Sequence, residues 1–519
     1  MMASRAVGAG EDAAREDVTR EDVTGAATFS TRRVAGFRAM LWAHQGVLPM
    51  LIRPTRRRFL ASAAALPLAG MAVPAWAQAA EMRIATRQIE VLGRAATVYG
   101  MTGPDGRFGF HGRAGERFRL GVQNDTDAGI ITHWHGQVMA AEGQDRSYTG
   151  GGELAAGAVD QVDFELTPGT HWMHSHQLSE QLLMAAPMIC READAEDIQE
   201  HVIMLHDFSF TAPEEILAGL GGSDMHAHGA AAGDMAGMDH AGGAMAGMDM
   251  AGMVHANDVK YDAFLANDRT LADPEVVQVE AGARVRLRVI NGGTATAFWI
   301  DPRVLQSVAI AVDGSACAPL AAKAYPMAQG QRLDLVVTIP AEGGAFPIFA
   351  QVEAARMRTG IVLATSGAQV AQLSDMAEAD GPHLDTQFDA GLRAVEALPE
   401  RAGQMAHLML GEEAGYRFTI NGRVHGEDTP IAAKLGERLE LMFMNTGMMM
   451  HPMHLHGHHF QVVDVGMGRF NGPRRDVVVV PPGGMVTVAV DLDKPGSWFL
   501  HCHHLYHMAT GMMTEVRVT

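Results

Sequence analysis

The sequence predicts an all-β chain of three Greek-key sandwiches, and three observations predict it. A stretch of glycine, arginine, alternating apolar residues and a closing asparagine occurs three times, as GERFRLGVQN at 115–124, GARVRLRVIN at 282–291 and GERLELMFMN at 436–445. The period-two alternation makes each copy a half-buried strand ended by a turn residue. The copies recur at the spacing of domains rather than of solenoid repeats, and 519 residues are too many for one ordinary core. Short strands and turn signals throughout the chain point to sandwiches of the Greek-key kind.

Residues 1–77 are read as lying outside this fold. Residues 1–49 are charged and loosely patterned, and Met50 is an alternative initiator. From Met50 come a basic start, an apolar run from Phe59 to about Val73, and Ala75-Trp76-Ala77 before Gln78. This is the pattern of a signal peptide with its cleavage site, too short to span a bilayer. Thr55-Arg56-Arg57-Arg58-Phe59-Leu60 resembles the twin-arginine export signal, which addresses proteins that cross the membrane folded. An ordinary secretory signal is the alternative. The expected mature chain is periplasmic, with no membrane span.

Three domains are expected at 78–200, 201–375 and 376–519. Residues 221–256 interrupt the second with glycine, alanine, methionine, histidine and aspartate, a composition that cannot bury a core. The formal charge of −20 excludes a nucleic-acid partner, because nothing would neutralise phosphates. Three cysteines, Cys190, Cys317 and Cys502, cannot supply a disulfide framework. Cys190 and Cys317 are read as small buried residues, with a disulfide between them as the alternative. The 25 histidines and 35 methionines are the unusual totals, being donors to soft metals.

The first and third copies carry matched histidines that the middle copy lacks. His133-Trp134-His135-Gly136 follows the first asparagine and His454-Leu455-His456-Gly457 the third. Later, His174-Ser175-His176 parallels His501-Cys502-His503. On a strand, residues i and i+2 share a face, so each His-x-His pair presents two imidazoles together, eight in all. Cys502 must point the opposite way, where His451, His507 and Met512 are available. Two histidines, a thiolate and a weak thioether are the ligand set of a blue copper suited to one-electron exchange. A zinc site closes with four ligands and has no use for this many. His171, His458, His459 and His504 stand off the ligand register and are read as supporting or surface groups.

HWHG, HWMHSH, HPMHLHG and HCHHLYHMATGM resemble the motifs of the multicopper oxidase family, most closely its bacterial copper-resistance and copper-efflux branch, across essentially the mature chain. The resemblance implies three cupredoxin domains, four copper ions, and electron transfer from a reducing substrate to O2. It implies type 2 copper on His133 and His454. The type 3 pair would sit on His135, His174 and His503 and on His176, His456 and His501. The type 1 copper would take His451, Cys502, His507 and Met512. Asp145, ten residues after His135, is the candidate acid for proton relay.

Two features favour Cu(I) as the reductant. The 221–256 segment holds Met235, Met238, Met245 and Met248 among further methionines and histidines, and Met448, Met449 and Met450 directly precede His451. Copper-efflux oxidases place an acid where this chain has Gly447, and a glutamate where it has Met508. Oxidation of phenols is the alternative within enzymes, and periplasmic copper storage the alternative outside them.

Overall fold

The computed structural model describes residues 81–139, 141–147, 152–222 and 256–519. The export signal and Met235, Met238, Met245 and Met248 lie outside these residues. Gly221 and Gly222, placed in the insertion by composition, instead close the helix Pro213–Gly222. No helix among the described residues is long and apolar enough to cross a membrane.

Six sheets pair into three sandwiches. In the first, four strands from Glu81–Val91, Arg94–Thr102, Arg117–Asn124 and Val159–Glu165 face four from Phe110–Arg113, Thr132–His135, Gly169–Ser175 and Ala185–Arg191. The second and third each set a six-stranded sheet against a five-stranded one. The repeated stretch becomes the equivalent strand in all three, Arg117–Asn124, Arg284–Asn291 and Arg438–Asn445. Each pairs parallel with the first strand of its domain and antiparallel with a later one. A parallel pair inside a largely antiparallel sheet requires a crossover connection rather than a hairpin. The alternate residues of these strands, Phe118, Leu120 and Val122 in the first and Leu439, Leu441 and Phe443 in the third, enter the core.

The closing asparagine does the same work three times. The side chains of Asn124, Asn291 and Asn445 each accept a hydrogen bond from the backbone two residues on, and each donates to two loop carbonyls. A buried amide that satisfies three backbone groups fixes the loop that follows. In the third domain one of those carbonyls belongs to Met449, two residues before His451.

Cys190 and Cys317 are buried free thiols in the cores of different sandwiches, which removes the disulfide alternative. His171, His458 and His504 are buried as well, so the surface reading fails for them.

Candidate metal centres

Two neighbouring strands in each outer sandwich bring the histidines together. Thr132–His135 pairs with Gly169–Ser175 so that His133 stands opposite His174, and His451–Leu455 pairs with Gly496–Cys502 so that His454 stands opposite His501. Trp134, Ser175 and Cys502, the intervening residues, are buried on the other side of their strands. A tight turn follows the His133/His135 and His454/His456 pairs. Gly136 and Gly457 have φ of +87° and +66°, and a Cβ at Gly136 would lie 2.2 Å from the His171 ring and at Gly457 2.2 Å from Trp498.

The eight imidazoles converge between the first and third sandwiches, with the outer nitrogens of six of them tied as follows and the inner nitrogens of all eight facing one another. His133 Nδ1 donates to Asp145 Oδ1 (2.6 Å) and His456 Nδ1 to Asp145 Oδ2 (2.7 Å). His454 Nδ1 donates to the Asp476 carbonyl (2.9 Å), His135 Nε2 to the Asp476 carboxylate (3.1 Å), and His501 Nδ1 to the Cys502 carbonyl (2.9 Å). His174 Nδ1 donates to Glu180 Oε2 (3.0 Å) and to the Ser175 carbonyl (2.8 Å). The inner nitrogens then form three groups. His133 Nε2 faces His454 Nε2 at 3.2 Å. His135 Nδ1 faces His174 Nε2 at 3.3 Å and His503 Nε2 at 3.2 Å. His501 Nε2 faces His456 Nε2 at 3.0 Å and His176 Nε2 at 3.3 Å.

Protonation cannot relieve these contacts. Burial pushes His456 and His501 down to about 3, and His133, His135, His176, His454 and His503 well below the ordinary imidazole value. Neutral rings whose outer nitrogens carry the proton present lone pairs inward, and lone pairs at this separation repel unless a cation lies among them. The donor set therefore fits metal ions that take imidazole, copper included.

A second centre lies on the far side of Cys502. Its Sγ is 3.7 Å from both His451 Nδ1 and His507 Nδ1. Met512 is fully buried beside it in the third core, with its carbonyl accepting from the Cys502 amide and its amide donating to the His507 carbonyl. Phe418 stacks on His507 at 3.7 Å. Burial raises the Cys502 thiol and lowers His507 to about 3, so the thiolate forms only with a cation to accept it.

The carboxylates around both centres were not found by sequence reasoning, apart from Asp145. Asp145, the candidate acid, is buried and holds two imidazoles. Asp476 pairs with Arg332 of the second sandwich and touches His135. Arg-Arg-Asp directly before four valines was the available signal, since charges entering an apolar strand must be paired. Burial raises the Glu180 carboxyl, with His174 opposing. Glu412 lies 3.9 Å from His451 Nε2 and Asp258 lies 3.6 Å from His507 Nε2. Of the three methionines before His451 read as favouring Cu(I), Met449 and Met450 are buried in the core and only Met448 is half-buried.

Family models described as multicopper oxidase match residues 239–378 and 399–519. The chain belongs to the multicopper oxidase family. As a multicopper oxidase it is an oxidoreductase that uses O2, with copper as its cofactor. It is 27% identical over 416 residues to multicopper oxidase MmcO of Mycobacterium tuberculosis, covering 78% of this chain and 79% of that one. It is 24% identical over 553 residues to copper resistance protein A of Escherichia coli, covering 81% and 88% respectively. The crystal structure of a multi-copper oxidase from Pseudomonas thermotolerans shares the fold with a TM-score of 0.63 at 20% identity, covering 85% of this chain and 98% of that one. The cupredoxin sandwiches of this multicopper oxidase are thus the three described above.

Proposed function

We propose that this multicopper oxidase takes electrons one at a time from Cu(I) and reduces O2 to water, in the periplasm and in the service of copper tolerance, after export by the twin-arginine route. Four copper ions are assigned. His451, Cys502, His507 and Met512 hold type 1. His133 and His454 hold type 2. His135, His174 and His503 hold one type 3 ion, and His176, His456 and His501 the other. The observation that carries the assignment is the set of inward lone pairs in groups of two, three and three, with a thiol on the opposite face of the same strand. Copper in these places supplies one-electron exchange and O2 reduction.

The chain's own residues do the remaining work. Cys502 sits between His501 and His503, so the two centres are joined by a few covalent bonds. Asp145 orients His133 and His456 by fixing which nitrogen of each is protonated. Asp476, neutralised by Arg332, does so for His135. Glu180 does so for His174.

Cu(I) is favoured over a phenol because of what surrounds the remote nitrogens of the type 1 histidines. His451 and His507 are fully buried, so a bulky ring has no face of either to contact. Glu412 and Asp258 stand at those nitrogens, and carboxylates attract a cation rather than a neutral aromatic. Asp258 also resumes the chain just after the Met- and His-rich segment, and copper resistance protein A is among the relatives. The test is O2 uptake by copper-loaded protein with Cu(I) and with a phenol side by side. A higher kcat/KM for the phenol overturns the cuprous reading, and no O2 uptake with either restores copper storage.

A further inference from the structure

The outer face of the six-stranded sheet in the third sandwich carries a row of methionines with no counterpart on the first. Leu408 and Leu410, Leu441 and Phe443, and Val486 and Val488 point from three adjacent strands into the core. The alternate residues Met409, Met444 and Met485 point outward and are 49%, 43% and 44% exposed. They are in register, Met409 opposite Met444 and Met444 opposite Met485. The next row holds His407 opposite Met442. Side chains opposite one another on neighbouring strands have Cβ atoms about 4.5–5.5 Å apart, within reach of one shared ion for chains as flexible as methionine.

The first sandwich provides an internal comparison. Its strand Arg117–Asn124 is the same repeated element, and its outward residue before the closing asparagine is Gln123, as Met444 is in the third. There the matching row is Arg83, Gln123 and Val159. Core positions are apolar in both, so the repeat itself does not call for methionine outside. Three neighbouring strands of the third sandwich nevertheless each supply one in the same row, where exposed thioethers gain nothing from burial.

We propose that this face is a Cu(I)-binding site, with Met409, Met444 and Met485 as the thioether ligands and His407 with Met442 as an adjoining position. Thioether sulfur selects cuprous over harder ions. Met444 and Met485 lie at the ends of their strands, Met444 seven residues before His451, and Met409 pairs with Met444 from within its own strand. Three residues beyond Met409 is Glu412, whose Oε1 accepts from the Met448 and Met449 amides and stands 3.9 Å from His451 Nε2. An ion held by the row is thereby held on the strand that also carries Glu412, which raises the Cu(I) concentration in this part of the third sandwich. Delivery rests on the cuprous reading above; binding does not.

Anaerobic titration of the fully reduced, copper-loaded enzyme with Cu(I) tests it, read by the 13C-methyl signals of labelled methionines. The signals of Met409, Met444 and Met485, each assigned by its single substitution with leucine, are expected to move together. If they do not move at saturation, the site is overturned. In the triple variant Met409→Leu, Met444→Leu, Met485→Leu, kcat/KM for Cu(I) is expected to fall about three- to tenfold relative to a phenol, from the lost local concentration. Circular dichroism and the blue absorbance report that the variant is folded. Methyl shifts in the parent with unchanged Cu(I) kinetics in the variant overturn delivery while the site stands. Methyl shifts in an enzyme that does not oxidise Cu(I) at all overturn the cuprous reading instead.

Discussion

Replacing Asp145 by asparagine should loosen the cluster without touching the blue centre. Each carboxylate oxygen of Asp145 accepts from one imidazole, at 2.6 Å from His133 and 2.7 Å from His456, and Ser147 donates to the second oxygen. Asparagine keeps one acceptor and turns an NH2 toward the other ring N–H, so one of the two imidazoles loses its anchor and faces a donor. A hydrogen bond to a charged group contributes about 1.5–3 kcal/mol. At 1.4 kcal/mol per factor of ten this is about ten- to a hundredfold in the copper Kd at the cluster, the range met when partners of ligating histidines are removed. The assay is copper content and the type 2 paramagnetic signal after dialysis against graded chelator, with the blue absorbance as the internal reference. Asp145→Glu, which retains both oxygens, should fall between parent and Asp145→Asn. An Asp145→Asn protein that keeps its cluster copper at the same chelator concentration as the parent would refute the positioning role.

Cys502→Ser should abolish the intense blue absorbance, because the hydroxyl cannot supply the thiolate, while the eight imidazoles across the strand still take up copper; a variant that stays blue sinks the assignment. Metal-free protein should lose stability in acid. His456, His501 and His507 are held at about 3 in the folded chain, against about 6.5 when unfolded. The unfolded chain therefore binds more protons between those values. Their contribution is whole above about pH 6.5 and is lost as the pH falls toward 3, by up to about 1.4 kcal/mol per pH unit for each ring. A Tm of the metal-free protein that is flat between about pH 6 and pH 4 would contradict this.

The ligands were legible in the sequence because a strand's period of two converts spacing directly into facing. His133 and His135, or His501 and His503, must share a side whatever the rest of the chain does, and Cys502 must take the other. The repeat marked the domains, and the histidine strands follow it in the opposite sheet of the first and third sandwiches. Partners reached across domains were not legible. Asp476 serves His135 from a bend between two strands of another sandwich, and Asp258 meets His507 from the second domain. A lone acid has no period, and only the packing of three sandwiches decides whom it meets. Met449 and Met450 show the opposite error. Their proximity to His451 in sequence suggested contact with an incoming ion, whereas the Asn445 clamp turns the loop so that both enter the core.

The cluster histidines divide evenly between the first and third sandwiches, with no group of inner nitrogens complete in either alone. A complete ligand group therefore requires both ends of the chain. A nascent chain that has emitted only its leading third displays four imidazoles, one of two, two of three and one of three from the groups. Copper held as proposed would be enclosed only once the closing strands dock, and would join two regions separated by more than three hundred positions in His133 and His454.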